Sequence, residues 1–221
     1  MIEPFNRDSQ ERNFSGLVRD EKSLAAALEE IWKTHDGFKH VWDPSGWPFE
    51  MNLNLNERVL ARANQQVLFL YRRNILRRLI SSQISEQLGV WTETDEFRDR
   101  VQRFAFKPID GERLQLCLDA ERTAMTRQRQ SLAAHGVDYL ELVYEDLFVN
   151  ATTQQQVDKL NDILNFLGRD KLTDERALSR VAALFNPRNS KLNSDETYQL
   201  VPQIEEIESR FGSDETGWLF H

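Results

Sequence analysis

The twenty residues from Gln66 to Ser85, QVLFLYRRNILRRLISSQIS, constrain the fold of this chain more than any other segment. The apolar run over residues 67–71 predicts a buried strand of a parallel sheet. Asn74 is a favourable N-cap, and helical periodicity follows it. One apolar stripe is formed by residues spaced four apart: Leu76, Ile80, Ile84 and Leu88. The segment therefore predicts a strand that runs directly into a helix.

The polar residues of the same segment predict an anion site. Arg72 and Arg73 end the strand, and Arg78, Ser81 and Ser85 lie on a polar line of the helix. A helix N-terminus offers free backbone N–H groups and a favourable dipole, and arginine adds guanidinium donors. We expect a phosphate or sulfate at this junction. The alternative is a helix with ordinary surface arginines and no ligand.

Composition narrows the class of protein. A chain of 221 residues is long enough for one α/β domain, predicted over residues 1–221. The net charge of −8 argues against nucleic acid as a partner. The single cysteine, Cys117, is expected to be a packed thiol. No segment has the pattern of a membrane span or a signal peptide, so the expected location is the cytoplasm.

Strand-like and helix-like segments alternate along the chain. Helices are predicted from an N-cap at Ser23 to an end near residues 35–37, and over residues 56–63, 74–90, 110–135, 153–167 and 200–211. Strands are predicted over residues 38–42, 67–71 and 139–144. Short apolar strands separated by helices indicate βαβ units and a parallel sheet. The predicted fold class is therefore α/β.

The spacing of Arg73 and Ser81 resembles a known element. A strand ending in Arg, a short turn and a Ser eight residues later is similar to the element with which sulfotransferases hold the 3′-phosphate of PAPS (3′-phosphoadenosine-5′-phosphosulfate). The resemblance implies that Arg73 and Ser81 bind this phosphate, with Arg78 as a reserve contact. PAPS would be the co-substrate, and no metal is implied.

Two later segments carry the resemblance further. The stretch over residues 139–168, with Tyr-Glu-Asp-Leu at 144–147 and Phe-Leu-Gly at 166–168, resembles a late strand, turn and helix of many sulfotransferases. We interpret its Glu145 and Asp146 as scaffold. The basic loop after Asn186 is similar to one that reaches the 3′-phosphate in bacterial relatives. It implies that Arg188, Ser190 and Lys191 are donors, although a solvated turn is the alternative.

The resemblance also suggests catalytic residues. Glu3 in the Glu-Pro pair at 3–4 is similar to a general base of carbohydrate-type bacterial sulfotransferases, which takes the proton of the acceptor hydroxyl. A solvated terminal carboxylate is the alternative. Lys39 corresponds to a lysine that faces the sulfuryl group, where a fixed cation offsets developing charge. His40 would point to the opposite face of a strand and ranks below Glu3.

One family element is missing from the sequence. The Pro-x-x-Gly-Thr/Ser-like loop that cradles the 5′-phosphosulfate is absent, as is a lysine-bearing P-loop. The resemblance thus implies an N-terminally truncated, P-loop-NTPase-like three-layer sandwich with a central parallel sheet.

The expected activity is sulfuryl transfer from PAPS to a hydroxyl or amine, possibly of a carbohydrate or lipid. One alternative is a catalytically impaired remnant or 3′-phosphate-binding module. The other is a nucleotide-kinase-like phosphotransferase, which the missing P-loop disfavours. The histidines and the cysteine show no metal-ligand spacing.

Overall fold

The computed structural model describes residues 2–6, 13–14, 16–41, 47–49, 53–60, 65–91, 100–149, 151–174, 178–180, 183, 185 and 195–220. Within these ranges the chain forms helices and a two-stranded sheet, which agrees with the α/β prediction. In chain order the elements are α1 (Glu21–Trp32), α2 (Leu53–Leu60), β1 (Gln66–Tyr71), α3 (Ile75–Leu88), α4 (Gly111–Ala134), β2 (Asp138–Val143), α5 (Tyr144–Phe148), α6 (Thr153–Phe166), α7 (Asp195–Gln199) and α8 (Ile204–Phe211). The two strands pair in parallel.

The chain divides into two compact units. Unit 1 comprises Met1–Val67 and Ala120–Tyr139, and unit 2 comprises Leu68–Asp119 and Leu140–His221. The prediction of a single domain stays a prediction. No helix in the described ranges combines the length and the apolar character that crossing a membrane requires.

The core of unit 1 forms around α1. Four of its residues, Leu24, Ala27, Leu28 and Ile31, are buried together with residues of the N-terminal segment and α2. Asp20 caps the helix, accepting a hydrogen bond from the backbone N–H of Ser23 at 2.8 Å. Ser23 is therefore the third helical residue of a capping box, and its prediction as the N-cap is wrong. The negatively charged side chain of Asp20, three residues before Ser23, interacts more favourably with the helix dipole than a serine hydroxyl would.

The strand predicted over residues 38–42 does not form in its described part. Phe38 makes one parallel bridge with Ile2, and the backbone N–H of Lys39 donates to the carbonyl oxygen of Ile2 at 2.8 Å. Trp42 lies outside the described residues. A single bridge does not form a β-ladder. The ranking of His40 below Glu3 assumed that side chains alternate between the two faces of a strand, and the described part of this segment forms no strand.

In unit 2, α3 follows the sequence closely. Asn74 is its N-cap, and the helix ends at Gly89, whose φ of 65° is favoured by glycine. The predicted stripe is confirmed because all four of its members have no exposed surface: Leu76, Ile80, Ile84 and Leu88. Ser85, assigned by sequence to the polar line, is also buried.

Strand β1 forms where the sequence predicts it, but it is less buried than expected. Exposed and half-buried residues alternate along it, and the side chains of Leu68 and Leu70 are 36% and 53% exposed. The prediction of a buried strand is wrong because the sheet of the described residues has only two strands, and β1 pairs with β2 alone. The sequence of β1 is therefore typical of a strand that is more buried than this one.

Candidate anion-binding site

The backbone at the start of α3 already holds an anion, which is a carboxylate of this chain. The N–H groups of Arg73 and Asn74 donate to the two carboxylate oxygens of Glu145, at 2.9 and 3.1 Å. Glu145 is the second residue of the short helix α5, which directly follows β2. The expectation of free N–H groups at this junction is therefore wrong. A carboxylate fills the position because the N-terminal amides and dipole of a helix favour negative charge.

The remaining N–H groups of the first turn are satisfied by neighbouring oxygens. Asn74 accepts from the N–H of Arg77 through Oδ1 at 2.8 Å, and Leu76 donates to the carbonyl of Thr216 at 2.9 Å. Asn74 also donates through Nδ2 to the carbonyl of Trp218 at 2.6 Å. Gly217 lies between these partners with a φ of 88°. A Cβ there would lie 2.3 Å from Cγ of Asn74, so only glycine fits.

The guanidinium group of Arg73 forms an exposed ion pair. Its Nη2 lies 3.0 and 3.2 Å from the two carboxylate oxygens of Asp146, and the side chain of Arg73 is 57% exposed. An exposed pair of this kind contributes little stability and is screened by salt. A phosphate could therefore compete with Asp146 for Arg73 at small cost.

Ser81 lies near a buried tyrosine that the sequence did not predict as part of the site. Tyr198 of α7 is 2% exposed, and Arg77 and Ser81 of α3 are polar neighbours of its hydroxyl. Burial raises the pKa of Tyr198, and the hydrogen bonds of Arg77 and Ser81 oppose that shift. The guanidinium carbon of Arg77 lies 5.2 Å from the centre of the Tyr198 ring, and the same guanidinium pairs with Asp195.

The other predicted donors add little to this geometry. Arg78 is half-buried on α3 and has its own interaction partner. Arg72, which was assigned no separate role, lies with its guanidinium carbon 4.1 Å from the centre of the Tyr144 ring. Arg188, Ser190 and Lys191 lie outside the described residues.

The two predicted catalytic residues bind each other in unit 1. Lys39 Nζ donates to Glu3 Oε1 at 2.6 Å, and Asn6 Nδ2 donates to Glu3 Oε2 at 2.7 Å. The hydrogen bond from Lys39, followed by that from Asn6, lowers the pKa of Glu3. Such a carboxylate is ionised at neutral pH but is a weaker base than a free one. The pair must open before either residue can act on a substrate.

His40 lies beside this pair with an unusual hydrogen-bonding state. Its Nε2 is 2.9 Å from Oδ1 of Asn56, which can only accept, so Nε2 carries the proton. The buried Nδ1 is left with no partner among the described residues. The ring contacts those of Phe5 and Phe49, with both centroid distances at 5.8 Å. Burial lowers the pKa of His40 to about 4, so the imidazole is neutral at pH 7.

The described residues contain no group of three or more His, Cys, Asp or Glu side chains arranged to hold a metal ion. Comparison of the chain with protein-family models, curated proteins and solved structures found no match. The similarity to sulfotransferases therefore depends on the residues quoted above.

Proposed function

We propose that this chain is a sulfotransferase-like protein that binds the 3′-phosphate of PAPS at the β1–α3 junction and transfers its sulfuryl group to a hydroxyl or amine. The supporting observation is the position of Arg73 at the end of a strand, with Ser81 on the helix that follows. Their spacing matches the family element, and both side chains can donate to a phosphate.

The finer fold assignment is part of the same proposal. A three-layer, P-loop-NTPase-like sandwich with a central parallel sheet would contain β1 and β2 as two of its parallel strands. The exposed leucines of β1, Leu68 and Leu70, fit a strand whose sequence is suited to a larger sheet.

The backbone N–H groups at the β1–α3 junction already have acceptors, and this limits how a ligand would be bound. Because Glu145 occupies the N–H groups of Arg73 and Asn74, the phosphate would be bound by side chains. Arg73 would exchange Asp146 for the phosphate, and Ser81 would donate its hydroxyl. The predicted donors Arg188, Ser190 and Lys191 and the reserve contact Arg78 complete the proposed set.

The transfer step requires a base and a cation. The acceptor oxygen or nitrogen attacks sulfur, the bond from sulfur to the phosphate oxygen of PAPS breaks, and the acceptor proton passes to the base. Glu3 is the proposed base and Lys39 the proposed cation, with adenosine 3′,5′-bisphosphate as the second product. An acceptor that separates Glu3 from Lys39 would raise the pKa of Glu3 toward its ordinary value and strengthen it as a base.

A binding module without catalysis is the second candidate function. The ion pair between Glu3 and Lys39 favours it, because each group neutralises the other. The two candidates share the phosphate site and differ in the transfer step. They are separated by incubating the chain with radiolabelled PAPS and sugar, lipid and amine acceptors. Labelled product that Glu3→Gln abolishes supports the enzyme, whereas ligand binding without product supports the module.

Titration calorimetry with adenosine 3′,5′-bisphosphate tests the shared site. We expect Arg73→Ala with Ser81→Ala to weaken binding by about 1.5–3 kcal/mol, the usual cost of losing a charged hydrogen-bond donor. The matched control is Arg103→Ala with Ser179→Ala, which removes the same two groups from exposed positions. Equal affinity of the wild type and the Arg73/Ser81 variant would rule out the site.

A further inference from the structure

Residues 2–6, here named the N-terminal strap, lie against His40 within unit 1. At the start of the strap, the backbone N–H of Lys39 donates to the carbonyl oxygen of Ile2 at 2.8 Å. Further along, the side chain of Phe5 is 1% exposed, and its ring centroid lies 5.8 Å from that of His40. Burial of this ring favours the attached strap, since detachment would return its apolar surface to water.

The hydrogen-bonding state of His40 opposes this attachment. Nε2 donates to Asn56, but the buried Nδ1 has no hydrogen-bond partner among the described residues. The cavity that His40 shares with Glu3 and Lys39 is too small to admit a water molecule. A buried acceptor without a partner costs free energy that hydration recovers. Detachment of the strap would give Nδ1 access to water.

A second proton on His40 would weaken the attached state further. The charged groups of the described chain that line the cavity beside the ring are Glu3 and Lys39, while Asn56 of α2 is neutral. Both carboxylate oxygens of Glu3 already accept hydrogen bonds, from Lys39 and from Asn6. The imidazolium would therefore be buried near a cation without an acceptor at Nδ1, which agrees with the lowered pKa of His40, about 4.

We propose that the N-terminal strap is acid-sensitive and detaches from His40 when the imidazole is protonated, while the rest of unit 1 stays folded. Because the strap carries Glu3, its detachment separates this carboxylate from Lys39 and uncovers both groups. The inference does not rest on sulfuryl transfer, since it concerns the chain alone. If Glu3 and Lys39 act as proposed above, their access to a substrate depends on pH.

Amide hydrogen exchange, followed by NMR without added ligand, tests the inference. The N–H of Lys39 reports on the strap, and those of the buried Leu28 and Ile31 in α1 report on the fold of unit 1. At pH 7, after correction for intrinsic rates, Lys39 should exchange faster than the α1 amides, because local opening requires less free energy than unfolding. Urea well below the unfolding transition should hardly change its rate, since local opening exposes little surface.

The protection of Lys39 should fall about twentyfold between pH 7 and pH 5. This is the change for a group whose pKa is about 4 in the attached state and 6.5 once the strap detaches. His40→Phe keeps a ring against Phe5 and cannot titrate, so its Lys39 protection should not depend on pH. His40→Gln is a second such variant and can still donate to Asn56. The control His35→Gln removes an exposed histidine and should retain the twentyfold fall.

Two results would overturn the inference. Equal protection of Lys39 and the α1 amides would show that the strap detaches only when unit 1 unfolds. Protection that is unchanged between pH 7 and pH 5, or a fall that persists in both His40 variants, would show that His40 does not control the strap. Neither result bears on the proposed phosphate site, whose residues Arg73 and Ser81 lie in unit 2, and a failure to bind phosphate would leave the strap unaffected.

Discussion

The β1–α3 junction in unit 2 and the Glu3 cluster in unit 1 each hold a half-buried carboxylate, but they bind it in different ways. Glu145 accepts from two backbone N–H groups, whereas Glu3 accepts from the side chains of Lys39 and Asn6. Backbone donors cannot turn to water when their acceptor is lost, but exposed side chains can. The comparison indicates that Glu145 is a structural part of the fold and that the contacts of Glu3 cost less to break.

The largest expected effect comes from the tightest contact of the junction. Gly217→Ala places a Cβ 2.3 Å from Cγ of Asn74 at a φ of 88°, so the N-cap of α3 must move. We expect a loss of about 4 kcal/mol of unfolding free energy from overpacking and backbone strain together. Urea unfolding measures it. Gly37→Ala is the matched control, because nothing lies within 4 Å of a Cβ there. Equal stability of the two variants would mean that the structure around Gly217 accommodates a methyl group without cost.

The next effect is that of His40, which lies beside Glu3 and Lys39 in unit 1. Its pKa falls from 6.5 in the unfolded chain to about 4 in the folded chain, because burial disfavours the charged imidazole. The unfolded state therefore binds the additional proton, so the stability from this group is complete above pH 6.5. It is lost as the pH falls toward 4.

The loss amounts to roughly 3 kcal/mol between pH 7 and pH 4. Urea unfolding of the wild type and His40→Gln across that range measures the difference. The stability of the variant should fall less steeply with acid. Parallel pH profiles would show that His40 titrates normally in the folded chain.

The comparison itself is tested most directly at Glu145. Glu145→Ala leaves the N–H groups of Arg73 and Asn74 without their carboxylate, and we expect a loss of about 2 kcal/mol of unfolding free energy. Added sulfate should restore part of this stability in the variant by occupying the vacated helix N-terminus. Asp146→Ala, which removes only an exposed ion pair, is the control. Equal losses in Glu145→Ala and Asp146→Ala would contradict the structural role of Glu145.

Prediction from the sequence succeeds for some features of α3 and the β1–α3 junction and fails for others. The stripe and the N-cap of α3 follow from local rules, since periodicity and an Asn cap act within a few residues. The partners at its N-terminus lie far along the chain, with Glu145 separated from Asn74 by 71 residues and Trp218 by 144. Tyr198 is similarly remote from Ser81. No local pattern reveals which distant acceptor will saturate an amide, so the junction was predicted as an open site.

The smallest expected effect on the unfolding free energy is that of Glu3. It tests whether this carboxylate can exchange its partners or is a fixed part of the fold. Its pKa is lowered by Lys39 and Asn6, so the stability it adds is present above the ordinary value of 4.5. That stability is lost as the pH falls through the lowered value.

At pH 7 we expect Glu3→Gln to cost about 0.5 kcal/mol or less in urea unfolding, because the side chain of its partner Lys39 is 55% exposed. Lys39→Met, which removes the cation and keeps the stem, should cost a similar amount. A loss near that of Glu145→Ala would show instead that the Glu3–Lys39 pair holds the N-terminal segment in place, and a pair with that role is poorly suited to open for a substrate.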